Sequence, residues 1–403
     1  MIASKNIILF DDQVESLYPL TLTRPASALR VGILTIAEKW EKYLDGIANY
    51  MTQEYLADKY QINIKDDNLF INGRLLPNDK IVRLVKDLGL NEALLFEEEL
   101  VAARIDSQQL NRILGEEDAG HLDGTDISSL EGVVDYIHRP YDIFSKNDQE
   151  IRKDFELITK DRKSQIIPKE VSTKGFKIFI EPGAEIELSR LNSSTGPIYI
   201  GKNAKILDAA VIRGPFALCE NAVVKMSAKI YGATTVGPNS KVGGEIKNCV
   251  FQANSNKSHD GYLGDSVIGQ WCNLGADTNS SNLKNNYTEI KIWDYSEGRF
   301  AESGLQFCGL IMGDHSKCGI NTMFNTGTVV GVNCNIYGSG FPRNFIPSFS
   351  WGGASGYMTY KLDKAYETAE KVLGRKNITL TQEDKNILEH IYSQSAQFRS
   401  WEK

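Results

Sequence analysis

The chain has 403 residues and a formal net charge of −7, with Lys and Arg dispersed along its length. This length predicts two domains, and the acidic balance argues against a nucleic-acid-binding protein. No apolar stretch reaches the roughly 18 residues of a membrane span, and the N-terminal apolar run is too short for a signal peptide, so we expect a cytoplasmic protein without a membrane partner.

The first predicted element is a buried strand over residues 2–10, which ends at Asp11 and Asp12. Residues 17–25 follow with the sequence LYPLTLTRP. This segment resembles the opening of sugar nucleotidyltransferases, in which the first strand leads into a phosphate-binding loop and a PLT-x-x-RP segment. The resemblance implies that backbone N–H groups of the turn and the guanidinium of Arg24 bind a nucleoside triphosphate.

The phosphate-binding loop departs from the pattern of that family. The glycine-rich G-x-G-T-R sequence is missing, and Ala26 stands where a lysine normally follows the RP pair, which leaves Lys39 as the candidate substitute. The family's aspartate that holds Mg²⁺ is also missing after the later strand. Either Asp11 or Asp12 replaces it as the Mg²⁺ ligand, or both carboxylates only solvate the end of the strand.

Alternating strand and helix patterns organise the first part of the chain. Helical spacing over residues 28–60 and 79–116 predicts an α/β domain at residues 1–150, and the resemblance implies that it is a degenerate sugar-nucleotidyltransferase-like domain. This domain is shorter than a full nucleotidyltransferase, so parts of its site could be lost and its activity impaired. The polar residues 151–175 are predicted to form a linker.

A period of six residues dominates the second part of the chain. Small residues often stand two positions before each aliphatic residue, and the period resumes at residues 312–336. Such a repeat is typical of a parallel β-helix, which we expect at residues 176–345, and the alternative is a β-sandwich with accidental spacing. The aliphatic positions of the first regular stretch are Ile200, Ile206, Ile212, Leu218, Val224, Ile230, Val236 and Val242.

Polar residues interrupt this repeat in a recognisable order. Residues 259–269 read HDGYLGDSVIG, residues 273–278 read NLGADT, and Asn282 follows. The run H-x-x-Y-L-G-D-x-x-I-G, followed by N-x-G-A-x-T, resembles the acetyltransferase half of the bifunctional N-acetylglucosamine-1-phosphate uridyltransferase and glucosamine-1-phosphate N-acetyltransferase family. The whole layout is similar to a variant of that family, in which a degenerate nucleotidyltransferase precedes a left-handed parallel β-helix.

The resemblance implies roles for individual residues of the acetyltransferase half. His259 matches the general base, because an imidazole titrates near neutral pH and can take a proton from the sugar amine. Lys247 matches a lysine that binds the phosphate, and Tyr262 and Asn282 match residues that contact the sugar phosphate. Asn273 matches an asparagine that positions the amine or the base.

The acetyl-CoA side of the site is assigned in the same way. Gly275 and Ala276 are the candidate binding residues, since their backbone N–H groups could stabilise the oxyanion of the tetrahedral intermediate. The family's second phosphate-binding arginine is Leu218 in this chain. Either Arg213 or Lys229 could supply that charge, and the sequence leaves the choice open.

The C-terminal residues 346–403 are predicted to be a polar tail with a helix that begins after Thr381 and caps the open end of the tube. In β-helix acyltransferases of this kind three tubes pack side by side, so the resemblance implies a homotrimer.

Three functions follow from these patterns. The first is amino-sugar nucleotide biosynthesis leading to UDP-N-acetylglucosamine, with acetyl transfer from acetyl-CoA to a hexosamine-1-phosphate and Mg²⁺-dependent nucleotidyl transfer from a nucleoside triphosphate to a sugar-1-phosphate. The second is nucleotidyl transfer alone, as in a glucose-1-phosphate thymidylyltransferase or uridylyltransferase. The third is a non-catalytic trimer that binds a sugar nucleotide.

Overall fold

The computed structural model describes residues 5–115 and 122–402. Residues 2–4 of the predicted first strand and residue 116 of the predicted helical region therefore lie outside the described residues. The chain divides into two compact units. The first unit comprises Met1–Val14, Arg24–Leu29 and Leu34–His138, and the second comprises Glu15–Thr23, Arg30–Ile33 and Arg139–Lys403.

The first unit is built on a six-stranded mixed sheet with the order β2-β1-β3-β5-β4-β6. Its strands are β1 (Lys5–Phe10), β2 (Gly46–Met51), β3 (Asn68–Asn72), β4 (Glu92–Phe96), β5 (Glu99–Ile105) and β6 (Asp123–Asp126). Its helices are α1 (Ile36–Leu44), α2 (Glu54–Ala57), α3 (Asp79–Asp87) and α4 (Ser107–Leu114). Strand β1 pairs in parallel with β2 and β3, whereas β5 is antiparallel to both of its neighbours.

Local sequence explains where α1 begins. The hydroxyl of Thr35 accepts a hydrogen bond from the backbone N–H of Glu38, whose carboxylate accepts one from the N–H of Thr35. This capping box satisfies two N–H groups that have no partner within the helix. The helix then buries Trp40 completely, so its apolar face packs into the unit.

The main segment of the second unit, Arg139–Lys403, starts with α5 (Asp142–Ser145) and α6 (Asn147–Thr159), and α6 occupies part of the region predicted as a linker. Helix α6 holds the short segment Arg30–Ile33 within this unit. The side chain of Asn147 accepts a hydrogen bond of 2.8 Å from the N–H of Gly32, and Asp154 accepts one of 2.7 Å from the N–H of Ile33.

The rest of the second unit is a succession of short strands with two C-terminal helices. The strands are β7 (Ser172–Lys174), β8 (Ile178–Ile180), β9 (Glu185–Ile186), β10 (Arg190–Asn192), β11 (Ile198–Ile200), β12 (Lys205–Ile206), β13 (Val211–Arg213), β14 (Phe216–Leu218), β15 (Val223–Val224), β16 (Lys229–Tyr231), β17 (Thr234–Val236), β18 (Lys241–Val242), β19 (Glu245–Phe251), β20 (Asn256–Lys257), β21 (Tyr262–Ile268), β22 (Asn273–Leu274), β23 (Asn279–Ser280), β24 (Lys291–Asp294), β25 (Arg299–Glu302), β26 (Leu310–Met312), β27 (Lys317–Cys318), β28 (Met323–Phe324), β29 (Thr328–Val330), β30 (Asn335–Ile336), β31 (Phe345–Ile346), β32 (Ser350–Gly353) and β33 (Gly356–Thr359). The helices are α7 (Leu362–Gly374) and α8 (Gln382–Gln394).

These strands coil into a parallel β-helix. Strands of successive coils pair in parallel and in register, for example β13 with β16 and β16 with β19. The eight aliphatic residues at six-residue spacing are all at most 1 % exposed and form the apolar core of the tube. The predicted fold class is confirmed, and the alternative of a β-sandwich is wrong because the coils pair in parallel.

The corners of the tube explain why small and polar residues recur between the strands. Asn203, Asn221 and Asn239 follow one another at intervals of 18 residues, and each has a positive φ between 55° and 59°. Asparagine tolerates this left-handed conformation better than most residues. One full coil of three faces therefore takes 18 residues in this region.

The C-terminal helices pack on the side of the tube. Thr381 and Asp384 form the predicted capping box at the start of α8. Ala369 and Leu373 of α7 cluster with Trp271, and the Lys376 ammonium bonds the carbonyl of Asn239. Tyr392 of α8 contacts the ring of Phe349 near the last coil, and β33 pairs antiparallel with β32 at the end of the sheet, so capping of the open end by this tail stays a prediction.

Within the described residues, none of the helices combines the length and apolar character that crossing a bilayer would require.

Candidate functional site

A buried carboxylate organises a polar cluster on the β-helix. Asp265 is 4 % exposed and accepts hydrogen bonds from three side chains: Asn282 at 2.5 Å, Asn248 at 2.8 Å and Lys247 at 3.3 Å. A buried carboxylate needs such donors, because removing its charge from water is costly. The cluster therefore holds two residues that the sequence assigned to sugar-phosphate binding, Lys247 and Asn282.

Strand register explains how these residues meet. Strands β19 and β21 pair in parallel so that Lys247 lies opposite Gly264, one residue before Asp265. Asn248 and Asp265 both have positive φ angles, 52° and 45°, at a corner of successive coils. The left-handed corner repeats from coil to coil, and it brings the two side chains together.

Two aromatic rings border the cluster. The ammonium of Lys247 lies 4.5 Å from the centre of the Phe307 ring, a cation–π contact. The hydroxyl of Tyr262 hydrogen-bonds the side chain of Asn282, and its pKa is raised mainly by burial and further by the nearby charge of Asp265. The phenol is therefore a neutral hydrogen-bonding group at physiological pH.

A cavity of about 510 Å³ in the same β-helix is lined by two further cationic side chains. Arg213, Lys229 and Tyr231 are among its lining residues, and Tyr231 lies opposite Lys247 in the register of β16 and β19. Lys229 lies 3.7 Å from the carboxylate of Glu245, which also accepts a hydrogen bond from Tyr231. No ion-pair partner of Arg213 is found within residues 5–115 and 122–402, so its charge is the less compensated of the two.

His259 lies in the turn between β20 and β21, three residues before Tyr262. Its side chain is exposed and makes no hydrogen bond with the part of the chain that the structure describes. An exposed imidazole in this position can exchange protons with a bound ligand.

The candidate that positions the amine or the base, Asn273, and the two acetyl-CoA candidates, Gly275 and Ala276, differ in what the fold leaves open. Asn273 is exposed on β22, next to Lys317 in the strand register. The N–H of Gly275 donates a hydrogen bond of 3.1 Å to the carbonyl of Cys318, so its predicted role as an oxyanion donor is corrected: the strand ladder already uses it. Ala276 accepts a hydrogen bond through its carbonyl, and its N–H bonds no described residue.

In the first unit the two acidic candidates are engaged by protein donors. Asp11 accepts hydrogen bonds from the N–H of Ala26 at 2.9 Å and the hydroxyl of Thr52 at 2.5 Å. Asp12 forms an ion pair of 3.0 Å with Arg74. These contacts do not fit an Mg²⁺ site, because both oxygens of Asp11 already bond protein donors and a cation neutralises Asp12. Among the described residues no group of three metal-ligating side chains is present.

Arg24 and Lys39, the candidate triphosphate ligands, are 4 % and 1 % exposed. Both make contacts inside the fold. Both side chains therefore lie inside the fold rather than on an open surface.

Sequence reasoning missed three members of the site: Asp265, Asn248 and Phe307. Asp265 belongs to the Y-L-G-D run, and this context was the signal that could have singled it out. Asn248 and Phe307 stand in no motif. Their positions depend on contacts between coils that are distant along the chain.

Comparisons with known proteins agree with the predicted resemblance. Residues 7–163 match the family model of the sugar nucleotidyl transferases. The Bifunctional protein GlmU of Methanocaldococcus jannaschii is 37 % identical over 92 residues, which cover 23 % of this chain and 22 % of the relative. A bifunctional sugar-1-phosphate nucleotidylyltransferase/acetyltransferase of Sulfurisphaera tokodaii is 30 % identical over 150 residues, covering 32 % and 37 %.

An uncharacterized acetyltransferase of Escherichia coli, YaiX, is 28 % identical over 148 residues and is covered over 64 % of its length. The chain thus spans less than two thirds of the length of these relatives. The resemblance predicted from the sequence is confirmed by these matches.

Proposed function

We propose that this chain, which is similar to the bifunctional sugar nucleotidyltransferases and acetyltransferases, is a transferase of amino-sugar nucleotide biosynthesis that acetylates a hexosamine-1-phosphate on its β-helix. Acetyl-CoA is the donor. Nucleotidyl transfer to a sugar-1-phosphate, the reaction that yields UDP-N-acetylglucosamine, would belong to the first unit. The observation that carries the proposal is the Asp265 cluster, which holds Lys247 and Asn282.

The charges around the cluster support a phosphorylated acceptor. Lys247 is 30 % exposed, so its ammonium can reach a ligand while Asp265 orients it. Arg213 and Lys229 line the 510 Å³ cavity on the preceding coils. A guanidinium binds phosphate through two parallel N–H bonds, and Arg213 carries the less compensated charge. We therefore assign Arg213, rather than Lys229, as the second phosphate-binding cation.

The proposed chemistry needs one general base. The imidazole of His259 takes a proton from the sugar amine as the amine nitrogen attacks the thioester carbonyl. A C–N bond forms, the C–S bond breaks, and the departing thiolate takes up a proton, giving the N-acetyl sugar phosphate and free CoA. Since Gly275 donates its N–H to Cys318, Ala276 supplies the remaining candidate N–H for the oxyanion.

The assembly and location follow from the same resemblance. Three tubes packed side by side would surround the exposed His259 with the surface of a neighbouring copy. A homotrimer in the cytoplasm is therefore part of the proposal, and Asn273 would position the amine or the base.

The nucleotidyl half has weaker support. Because Asp11 and Asp12 bond protein donors, Mg²⁺-dependent transfer in the first unit would need other ligands or a rearrangement. The same observation disfavours an enzyme that performs nucleotidyl transfer alone. A non-catalytic trimer that binds a sugar nucleotide is the alternative that the experiment below must separate from acetyl transfer.

The test is release of free thiol from acetyl-CoA with glucosamine-1-phosphate as acceptor. Loss of the base in His259→Ala should lower kcat by about 10²- to 10⁴-fold. His390→Ala, which changes another exposed histidine on α8, is the matched control and should retain activity. A native protein without thiol release, which nevertheless binds a sugar nucleotide, would replace the proposal by the non-catalytic alternative.

A further inference from the structure

A lysine points into the apolar interior of the β-helix. Lys257 lies on β20, where the strand register places it opposite Val242 of the preceding coil. Its side chain is fully buried. On the following coil the interior position of β22 is taken by Leu274. An ammonium group therefore interrupts a column of apolar residues.

The partners of this ammonium are backbone carbonyls of the turn that carries His259. The Nζ atom of Lys257 donates hydrogen bonds of 2.9 Å to the carbonyl of His259 and 3.1 Å to the carbonyl of Asp260. Within the described residues no backbone N–H bonds the carbonyl of His259. Without Lys257 this partly buried carbonyl would lose its hydrogen-bond partner, which would destabilise the turn.

The turn has little freedom to find another arrangement. Gly261 has φ of 109°, and a Cβ atom there would lie 2.2 Å from the carbonyl oxygen of Thr278. The backbone between β20 and β21 is thus packed tightly against the next coil. A charged group in the apolar tube is costly, and the turn that it secures carries the exposed imidazole of His259.

We propose that Lys257 is a positioning residue, whose ammonium binds the His259–Asp260 turn from inside the tube and so fixes where the imidazole stands on the outer face. This inference rests on the proposed function, in which His259 is the general base. Correct placement of a base within a fraction of an ångström is worth large factors in rate.

The ionisation of Lys257 agrees with this geometry. Burial lowers its pKa to about 8, while the nearby carboxylates of Asp260 and Asp277 favour the charged form. The ammonium therefore persists at neutral pH and is lost in mildly alkaline solution. The neutral amine is a weaker donor to the two carbonyls.

The chain contains a matched control in Lys317. This lysine lies on β27, and its Nζ donates a hydrogen bond of 2.7 Å to the carbonyl of His315, two residues earlier. Like Lys257, it is a lysine whose ammonium donates a hydrogen bond to the backbone carbonyl of a histidine. Within the described residues, the hydrogen bond of its ammonium goes to His315 and not to the turn that carries His259.

The experiment compares Lys257→Met and Lys317→Met. Methionine has a similar length, fits an apolar column and cannot donate hydrogen bonds. Lys257→Met should lower kcat for acetyl transfer by about tenfold or more while both KM values stay within twofold, and Lys317→Met should leave kcat unchanged. The native enzyme should also lose kcat above pH 8, and this loss should be absent in Lys257→Met.

A second readout does not depend on catalysis. Hydrogen–deuterium exchange in peptides covering residues 256–264 should be faster in Lys257→Met than in the native protein and unchanged in Lys317→Met. If the native protein transfers no acetyl group, the proposed function fails, but exchange still decides whether Lys257 holds the turn. Unchanged exchange, or a change in KM with kcat intact, would overturn the inference. If Lys257→Met does not fold, Lys257→Leu, which also cannot donate a hydrogen bond, replaces it in both measurements.

Discussion

The side-chain amide of Asn282 donates a 2.5 Å hydrogen bond to the carboxylate of Asp265, although 17 residues separate them. The spacing equals one coil of the tube here, because Leu263 and Ser280 pair in register across the same interval. Adjacent parallel strands lie about 4.8 Å apart, so residues one coil apart become direct neighbours. This neighbour relation joins Asn282 to Lys247 in a single site.

Removing the charge of Asp265 should damage both stability and acceptor binding. Asp265→Asn leaves the amide groups of Asn282 and Asn248 facing another amide and leaves Lys247 without its counter-charge. We expect a loss of about 2–3 kcal/mol in the free energy of unfolding, measured by urea denaturation, and a higher KM for glucosamine-1-phosphate. Asp67→Asn, which breaks an exposed ion pair with Arg104, should cost at most about 1 kcal/mol. Equal losses in the two variants would contradict the central place of Asp265.

The two cavity cations should contribute unequally to phosphate binding. Arg213→Met should raise KM for glucosamine-1-phosphate by about tenfold, because its charge lacks a nearby carboxylate, whereas Lys229→Met should have a smaller effect. Glucosamine without the phosphate tests this assignment. Neither Arg213→Met nor Lys229→Met should change the turnover of this acceptor, because it has no phosphate for these cations to bind. A larger effect at Lys229 would reverse the assignment. Lys205→Met, on an exposed part of β12, is the control.

The glycine at position 264 leaves space for the side chains of Tyr262 and Asn282. A Cβ atom at Gly264 would lie 2.3 Å from the hydroxyl oxygen of Tyr262 and 2.7 Å from Nδ2 of Asn282. Gly264→Ala should displace both side chains and raise KM for the acceptor several-fold, with a small loss of stability because side-chain ends can move. At Gly319 the nearest atom would be 3.5 Å away, so Gly319→Ala should be neutral. Unchanged KM in Gly264→Ala would argue against acceptor contacts by Tyr262 and Asn282.

Lys257 should leave a signature in the pH dependence of stability. Its pKa is about 8 in the folded protein and near 10.5 when unfolded, so between these values the unfolded chain binds the proton and the folded one does not. Raising the pH from 8 to 10.5 should therefore stabilise the native protein relative to Lys257→Met by up to about 3 kcal/mol. Urea denaturation of both proteins across this range measures the difference. A constant difference would show that the folded pKa is not lowered.

Asp11 should behave as a structural residue of the first unit. Its carboxylate accepts the N–H of Ala26 at the start of the short turn Ala26–Ala28. Asp11→Asn should cost about 1–2 kcal/mol with or without Mg²⁺, because a weaker acceptor replaces a charged one. Thermal unfolding with and without Mg²⁺ and a nucleoside triphosphate measures this. Stabilisation by Mg²⁺ in the native protein that disappears in Asp11→Asn would instead identify a metal ligand.

The sequence alone determined the architecture of the tube and the location of its polar interruption. A period of six specifies which side chain of each short strand faces inward, and this information is local. The same holds for the capping box at Thr381 and for the run from His259 to Asp265, whose residues are neighbours along the chain.

Only the tertiary structure decided which of these residues act together. The Asp265 cluster depends on strand register between coils, and the coils here take 17 residues rather than the 18 of the earlier regular stretch, which the six-residue count does not predict. The N–H of Gly275 is taken by Cys318, 43 residues away, and the carboxylates of Asp11 and Asp12 by Thr52 and Arg74. Local sequence states what a group can donate or accept, but the long-range pairing of the folded chain determines whether a protein partner already occupies it.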